Sequence, residues 1–530
     1  MNFQSLLEKH VAAGPDRIAF FDQSRPWSYQ DLSAEVDRIA RVLHERGAAS
    51  GDRLALWLPN CVQWLTVFLA CTRLGITVVS VNTRFREHEV GHLLERGRCS
   101  WLVVWPEFKG LPFSQILAAI DPQRLGKLQG IIGVGNLDGL HASIPGLPLV
   151  AYDTQPALES LDAVAPAADT AGALVYTTSG TTSAPKLVLH TQAGLIAHGQ
   201  SASAAYQIDS ESVVLLAAPF CGAFGFSTAV CGLAAGAPLV SSPVFNAAET
   251  TQQIFDYNVT HTYANNEFID LLLKQVKDQA KPFPTLRYVG FASFTPSLDD
   301  LPERARDAGL PVAGLYGSSE LQALVAGQRL DAPWDRRRKA GGTLSSPDGR
   351  VRAINVETGE VLPHGEVGMI EIKAPSLMTA YLDDPEATSK AISQDGYFRT
   401  GDLGLTVSER EFVFQGRNGD YLRLGGFLVN PMEIEQFIEQ VAGVKACQVV
   451  GCEHQGRIVP VAFVIPAPAH EVFEADIIEK CMGAMARFKV PQRVATVDTF
   501  PVVESANSNK IQRTRLQQMA KELLATEPQE

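Results

Sequence analysis

From Val213 to Val240 the chain reads VVLLAAPFCGAFGFSTAVCGLAAGAPLV, and no residue in that run carries a charge. A stretch this apolar belongs either in a bilayer, which a helix crosses with about 20 residues, or in the interior of a folded domain. Pro219, Pro238 and four glycines (Gly222, Gly225, Gly232 and Gly236) interrupt it. Proline removes a backbone donor and glycine weakens a helix. The run therefore divides into a buried strand, a glycine-rich turn and a short helix, as in the interior of an α/β domain, and a membrane span is not expected.

The flanking sequence supports that reading. RLALWLP (53–59) and TVVSVN (77–82) have the length and bounding residues of strands, and VQWLTVFLACTRLG (62–75) between them reads as a crossover helix. The alternation recurs in ESVVLLAAP (211–219) followed by FSTAVCGLAAG, and in FIDLLLKQVKDQ (268–279) followed by RYVGFAS (287–293). It predicts parallel sheet with helices on its faces. From about residue 340 the strands become shorter and turn-rich, with a hairpin turn at Glu357, Thr358 and Gly359. GRNGD (416–420) is polar and glycine-rich, as a linker would be. Beyond it a helix opening at Pro431, a strand pair around 446–465 and a closing helix at 513–525 make a small α+β module. A chain of 530 residues exceeds one ordinary core. The expectation is a large α/β domain, residues 1–416, of parallel and mixed sheets with a β-barrel-like subdomain, then a small mobile α+β domain, residues 417–530.

Charge and cysteine usage narrow the function classes. A formal charge of −13 argues against a nucleic-acid partner but allows small anions at local basic sites. One such excess lies between Lys480 and Lys521, where eight Lys or Arg face only Asp498 and Glu504. It reads as a solvated face or as a footprint for a phosphorylated ligand. The eight cysteines are scattered, with no C-x-x-C and no metal-ligand spacing. Gln4, Glu8 and Lys9 stand where a secretory signal needs an apolar core. Both features predict a cytoplasmic protein.

The chemistry-bearing stretch is YTTSGTTSAPKLVLH (176–190). A Walker A loop, G-x-x-x-x-G-K-S/T, is excluded: Pro185 occupies the second glycine position and has no N–H, and Leu187 follows Lys186 where a hydroxyl is required. Thr177, Thr178, Ser179, Thr181, Thr182 and Ser183 around Gly180 can still hold phosphates through hydroxyls and successive amides. Taken alone, such a loop reads as a Ser/Thr surface turn, because hydroxyl-rich loops are common.

Further motifs occur in order: APFCGAFGF (218–226), LYGSSE (315–320), YFRTGDLG (397–404), GRNGDYLRLGGFLVNPMEIE (416–435) and NSNKIQRTRL (507–516). With the loop they resemble the adenylate-forming superfamily of acyl-CoA synthetases, peptide-synthetase adenylation domains and luciferases. The phosphate loop of that superfamily has the form T-S-G-T-S/T-S/G-x-P-K. The resemblance implies that Thr178, Ser179, Gly180, Thr181, Thr182, Ser183 and Lys186 cradle ATP phosphates. It also implies that Tyr316 and Gly317 flank adenine and that Ser319 keeps a hydroxyl near phosphate where threonine is usual. Asp402 would accept the ribose hydroxyls, and Arg417 would reach the nucleotide. Glu320 is the implied magnesium ligand, a hard oxygen donor beside ATP phosphates. Lys510 is the implied catalytic lysine that bridges carboxylate and phosphate, and Gly419 the hinge between two poses of the small domain.

Several positions depart from the family pattern. Gly222 stands where a histidine or aromatic gate is usual, between Pro219 and Gly225; Ala292 and Ser293 replace an adenine-binding G-A motif; Asn509 precedes Lys510 in place of glycine. By family position Phe220, Gly222, Gly225 and Tyr263 line the acyl pocket, with Asn265 and Asn266 as polar options. The implied activity is ATP-dependent conversion of a carboxylic acid to an acyl-AMP, then thioester formation with coenzyme A, with Mg2+ as cofactor. An aromatic, alicyclic or medium-chain monocarboxylic acid is expected. A stand-alone enzyme loading a carrier protein shares the first half-reaction; a nucleotide-binding protein without turnover is disfavoured by Lys510, Glu320 and Asp402.

Overall fold

The computed structural model describes residues 1–22, 25–108, 110, 112–144, 146–161, 164–178, 186–277, 281–293, 298–418, 422–424, 427–455, 457–504 and 509–525. Its internal contacts divide it into two compact units. The first comprises Met1–Ser293, Asp300–Val351 and Ile372–Phe398; the second is chiefly Arg352–Glu371 and Arg399–Glu530. The second thus takes in strands before Gly416 that the sequence reading assigns to the large domain.

The first unit holds an eight-stranded sheet in the order Ala380–Tyr381, Leu187–Thr191, Gly172–Thr177, Thr77–Ser80, Arg53–Trp57, Trp101–Val104, Gly130–Gly133, Leu149–Ala151. From Gly172–Thr177 to Leu149–Ala151 neighbours run parallel; the two strands at the other edge pair antiparallel. The strand, helix and strand expected over 53–82 appear as Arg53–Trp57, Val62–Leu74 and Thr77–Ser80. Every residue of the helix except Gln63 and Arg73 is buried, and Gly75 ends it at φ 73°, a conformation that suits glycine. Against this sheet pack Trp57, Val79, Leu102, Val104, Phe113 and Ile131, all at most 1% exposed. Each such side chain contributes about 1.5–3 kcal/mol on burial.

The second sheet of this unit has a parallel centre formed by Ile18–Phe21, Leu239–Val240, Val214–Leu215, His261–Asn265, Tyr288–Ala292 and Val312–Ser318. Gln322–Gly327 and Gly341–Leu344 extend it antiparallel. The uncharged run divides as expected into strand Val214–Leu215, helix Ala223–Ala235 and strand Leu239–Val240. Among the described residues no helix is long and apolar enough to cross a membrane. The whole stretch 211–219 supplies only the two-residue strand, because its C-terminal half is drawn into a turn that Asn60 ties down at Ala218 and Phe220.

In the second unit the turn-rich region is a row of strands, Arg350–Ile354, Val367–Lys373, Phe398–Ser408 and Glu411–Arg417, lying side by side in that order. The expected turn at 357–359 is present: Asn355 Oδ1 accepts from the amides of Glu357 and Thr358, and Gly359 has φ 74°. Helix Pro431–Glu439 begins with Pro431 in its first turn and Asn430 as cap. The hairpin Val444–His454 and Arg457–Pro466 is joined in parallel by Arg493–Thr496. Its side chains alternate between two small cores: Val449 and Val464 face Ile434, Ile438 and Ile477, while Val450 and Phe463 face Leu516, Ala520 and Leu524. All eight cysteines are free and buried.

Candidate active site

Strand Gly172–Thr177 leads into the hydroxyl-rich loop and strand Leu187–Thr191 leads out of it, with Thr177 opposite Leu187. The loop ends are pinned reciprocally: the Thr178 amide donates to the Lys186 carbonyl at 3.0 Å, and the Lys186 amide to Thr178 Oγ1 at 3.2 Å. Ser179, Gly180, Thr181, Thr182 and Ser183 lie outside the described residues.

Tyr316 and Gly317 lie at the end of strand Val312–Ser318, which turns back as Gln322–Gly327. A Cβ on Gly317 would stand 2.5 Å from Ala323 Cα, so the tight return requires glycine there. Ser319 and Glu320 occupy the turn. The imidazole of His190, on the strand leaving the loop, donates through Nε2 to the Ser319 carbonyl at 2.7 Å. Burial lowers that imidazole to about 4, so it is neutral and serves as a fixed donor.

A short strap fastens Glu320 to the loop strand. The Met378 amide donates to the Glu320 carbonyl at 2.7 Å, and Thr379 and Leu382 donate to Leu189 and Leu187 at 2.9 and 2.7 Å. Between them the Tyr381 hydroxyl donates to Glu320 Oε1 at 2.8 Å, while Lys186 Nζ lies 4.6 Å from the centre of the same ring. The structure therefore gathers Thr178, Lys186, Ser319 and Glu320 at one edge of the eight-stranded sheet. Tyr381 and His190 were not found from sequence: Tyr381 acts on a residue 61 positions away, and a lone tyrosine in AYLDDP carries no local signal.

In the second unit Asp402 and Arg417 stand directly opposite each other in the antiparallel pair Phe398–Ser408 and Glu411–Arg417. Arg417 Nε lies 3.0 Å from Asp402 Oδ1; the carboxylate is 7% exposed and the guanidinium 61%. Lys510 is on strand Asn509–Ile511, in register with Val503. Gly419 lies outside the described residues.

The residues assigned to the acyl pocket occupy packed positions. Phe220 is 1% exposed, its ring 5.4 Å from that of Trp64, in an aromatic cluster with Phe226 and Phe68. Tyr263 is fully buried between Tyr206 and Tyr288, ring centres 5.5 and 5.8 Å away. Gly225 is in close contact with backbone: a Cβ there would meet the Pro219 carbonyl oxygen at 2.2 Å. Gly222 caps the N-terminus of helix Ala223–Ala235 in an extended conformation and is partly exposed.

In the first unit, a loop with pinned ends and a carboxylate and a lysine beside it suit phosphate groups and a cation they carry. Residues 7–382 match the family model described as "AMP-binding enzyme", and 433–507 that of the "AMP-binding enzyme C-terminal domain". The chain belongs to the AMP-binding enzyme family. Among its relatives in this family, an indoleacetate–CoA ligase of Aromatoleum aromaticum is 27% identical over 94% of this chain and 95% of its own length. A long-chain-fatty-acid–CoA ligase of Mycobacterium tuberculosis is 28% identical over 94% and 95%. The crystal structure of ATP-bound MatB from Rhodopseudomonas palustris superposes with a TM-score of 0.82, at 25% identity, covering 99% of this chain and 100% of that one. The superfamily resemblance is thus borne out, and this AMP-binding enzyme is an AMP-forming acid–thiol ligase of the acyl-CoA synthetase class.

Proposed function

We propose that the enzyme condenses an apolar monocarboxylic acid with ATP to an acyl-AMP, expelling pyrophosphate, and passes the acyl group to the thiol of coenzyme A. The observation that carries this reading is the meeting of Lys186 and Glu320 on Tyr381 at the mouth of the hydroxyl-rich loop. It provides a cation for phosphate oxygens and a carboxylate for the ion they carry.

Among the described residues no group of three or more His, Cys, Asp or Glu could hold a resident metal. One carboxylate plus substrate phosphates is how Mg2+ is usually held, and Glu320 fits that role. Bound there, the ion would neutralise phosphate charge as pyrophosphate leaves. Thr178 and Lys186, with residues 179–183, hold the phosphates; Tyr316 and Gly317 flank the base; Ser319 supplies a hydroxyl. Asp402 accepts the ribose diol, and Arg417, already beside it, joins the nucleotide. Lys510 stabilises charge at the α-phosphate in the first step and withdraws as the small domain turns at Gly419.

The acid's class follows from the uncharged run 213–240 and from the family positions of Phe220, Gly222, Gly225 and Tyr263. The relatives named for indoleacetate and long-chain fatty acids act on one carboxylate attached to an apolar body. Phe220, Tyr263 and Gly225 are packed positions that would support such a pocket from behind its lining, and Gly222, partly exposed, adds no side chain to it. Acid-dependent pyrophosphate exchange over a library of acids, followed by transfer to coenzyme A or to a phosphopantetheinylated carrier protein, tests the reading. Exchange with apolar monocarboxylates and transfer to coenzyme A is the expected result. Exchange with no acid, or transfer only to the carrier, overturns it.

A further inference from the structure

We propose that Tyr381 is a positioning residue, whose hydroxyl holds the Glu320 carboxylate through Oε1 so that Oε2 is left for the divalent cation. The proposal rests on the assignment of Glu320 above. Glu320 sits partly buried in a turn, and its side chain has three torsions that must be set if one carboxylate oxygen is to face a ligand. Tyr381 is held by its backbone. Its strand pairs antiparallel with Leu187–Thr191, Tyr381 opposite Val188, and its amide donates to Thr388 Oγ1 at 2.9 Å. The Met378 amide holds the backbone carbonyl of Glu320 at 2.7 Å. Backbone and side chain of Glu320 are therefore tethered to the same five-residue strap, 378–382, and that strap is itself fixed to the strand leaving the phosphate loop.

The ring face adds a second restraint. Lys186 Nζ lies 4.6 Å from its centre, a contact weaker than a charge-assisted bond to phosphate. Lys186 is thereby kept beside Glu320 without closing an ion pair that would consume the carboxylate, and an arriving phosphate displaces it at little cost. A hydrogen bond that orients a ligating carboxylate typically changes metal affinity 10–100-fold when removed.

Tyr381→Phe keeps the ring and the strand pairing and removes only the hydroxyl. Three proteins are compared, wild type, Tyr381→Phe and Glu320→Gln, each saturated with ATP and without acid, and titrated with Mn2+ while free Mn2+ is followed by electron paramagnetic resonance. Pyrophosphate exchange is measured alongside as a function of Mg2+. Tyr381→Phe is expected to bind Mn2+ about 10-fold more weakly and to need about 10-fold more Mg2+ for half-maximal exchange. Its rate at saturating Mg2+ should stay within about 2-fold and its melting temperature unchanged, a split that a merely structural role does not produce. Wild-type Mn2+ affinity in Tyr381→Phe with a loss in Glu320→Gln overturns the positioning role and leaves Glu320 standing. Wild-type affinity in Glu320→Gln overturns the assignment of Glu320 itself.

Discussion

Arg417 and Asp402 illustrate what one pair of side chains can prepare. A carboxylate only 7% exposed needs a cation or several donors, and Arg417 at 3.0 Å supplies one while its own guanidinium stays 61% exposed. If, as proposed, the two hydroxyls of a ribose are accepted by Asp402, the exposed arginine can turn toward the nucleotide. In the proposed mechanism Lys510 has a different task, because its charge would be needed in one transition state only. Lys510→Ala is expected to slow acyl-AMP formation about 10²- to 10³-fold and to leave thioester formation from supplied acyl-AMP nearly intact. Stopped-flow measurement of the two half-reactions checks this; equal losses in both would remove Lys510 from the first step.

Among the elements, the turn from Ala218 to Gly225 is the most tightly specified. Gly225→Ala would place a methyl 2.2 and 2.4 Å from the carbonyl oxygens of Pro219 and Ala218. Neither can retreat, since Asn60 binds the Ala218 carbonyl and the Phe220 amide at 2.9 and 2.7 Å. A destabilisation of about 1–3 kcal/mol is expected, read as a lower denaturant midpoint at unchanged slope. The same turn shows where sequence is legible. Its prolines and glycines locate it, and the runs on either side give the order of strand and helix, although the strand expected over 211–219 shortens to Val214–Leu215 and the helix starts earlier, at Ala223. Which aromatics face a ligand is not written there. Phe220 occupies a pocket position by motif, but in an uncharged environment a phenyl ring satisfies itself on Trp64 and Phe226 first. The hydroxyl-rich loop, Glu320 and Asp402 could be singled out as candidates because their motifs are local and ordered along the chain. Tyr381 was not, because its meaning lies in a hydrogen bond across 61 residues.

At the scale of the whole molecule, the two half-reactions of the proposed mechanism would make incompatible demands on Lys510, which would have to cover the phosphate and then clear a path for the thiol. Our reading places the pivot at Gly419. Proline there would fix φ near −65° and restrict Asn418. Gly419→Pro is therefore expected to slow one half-reaction at least about 10-fold more than the other, a differential barrier of roughly 1.4 kcal/mol. Pyrophosphate exchange and single-turnover thioester formation on that variant decide it, and parallel losses would move the pivot elsewhere. The cysteines offer a way to watch the motion. All eight are free and buried, and burial pushes the thiols of Cys61, Cys99 and Cys221 up to about 12. The folded enzyme should consume almost no maleimide at neutral pH, whereas the denatured chain should consume eight equivalents. One surface cysteine engineered into each unit would then be the only fast-reacting pair, so the native background is already dark enough for a distance-reporting fluorophore pair to record each turn of the catalytic cycle.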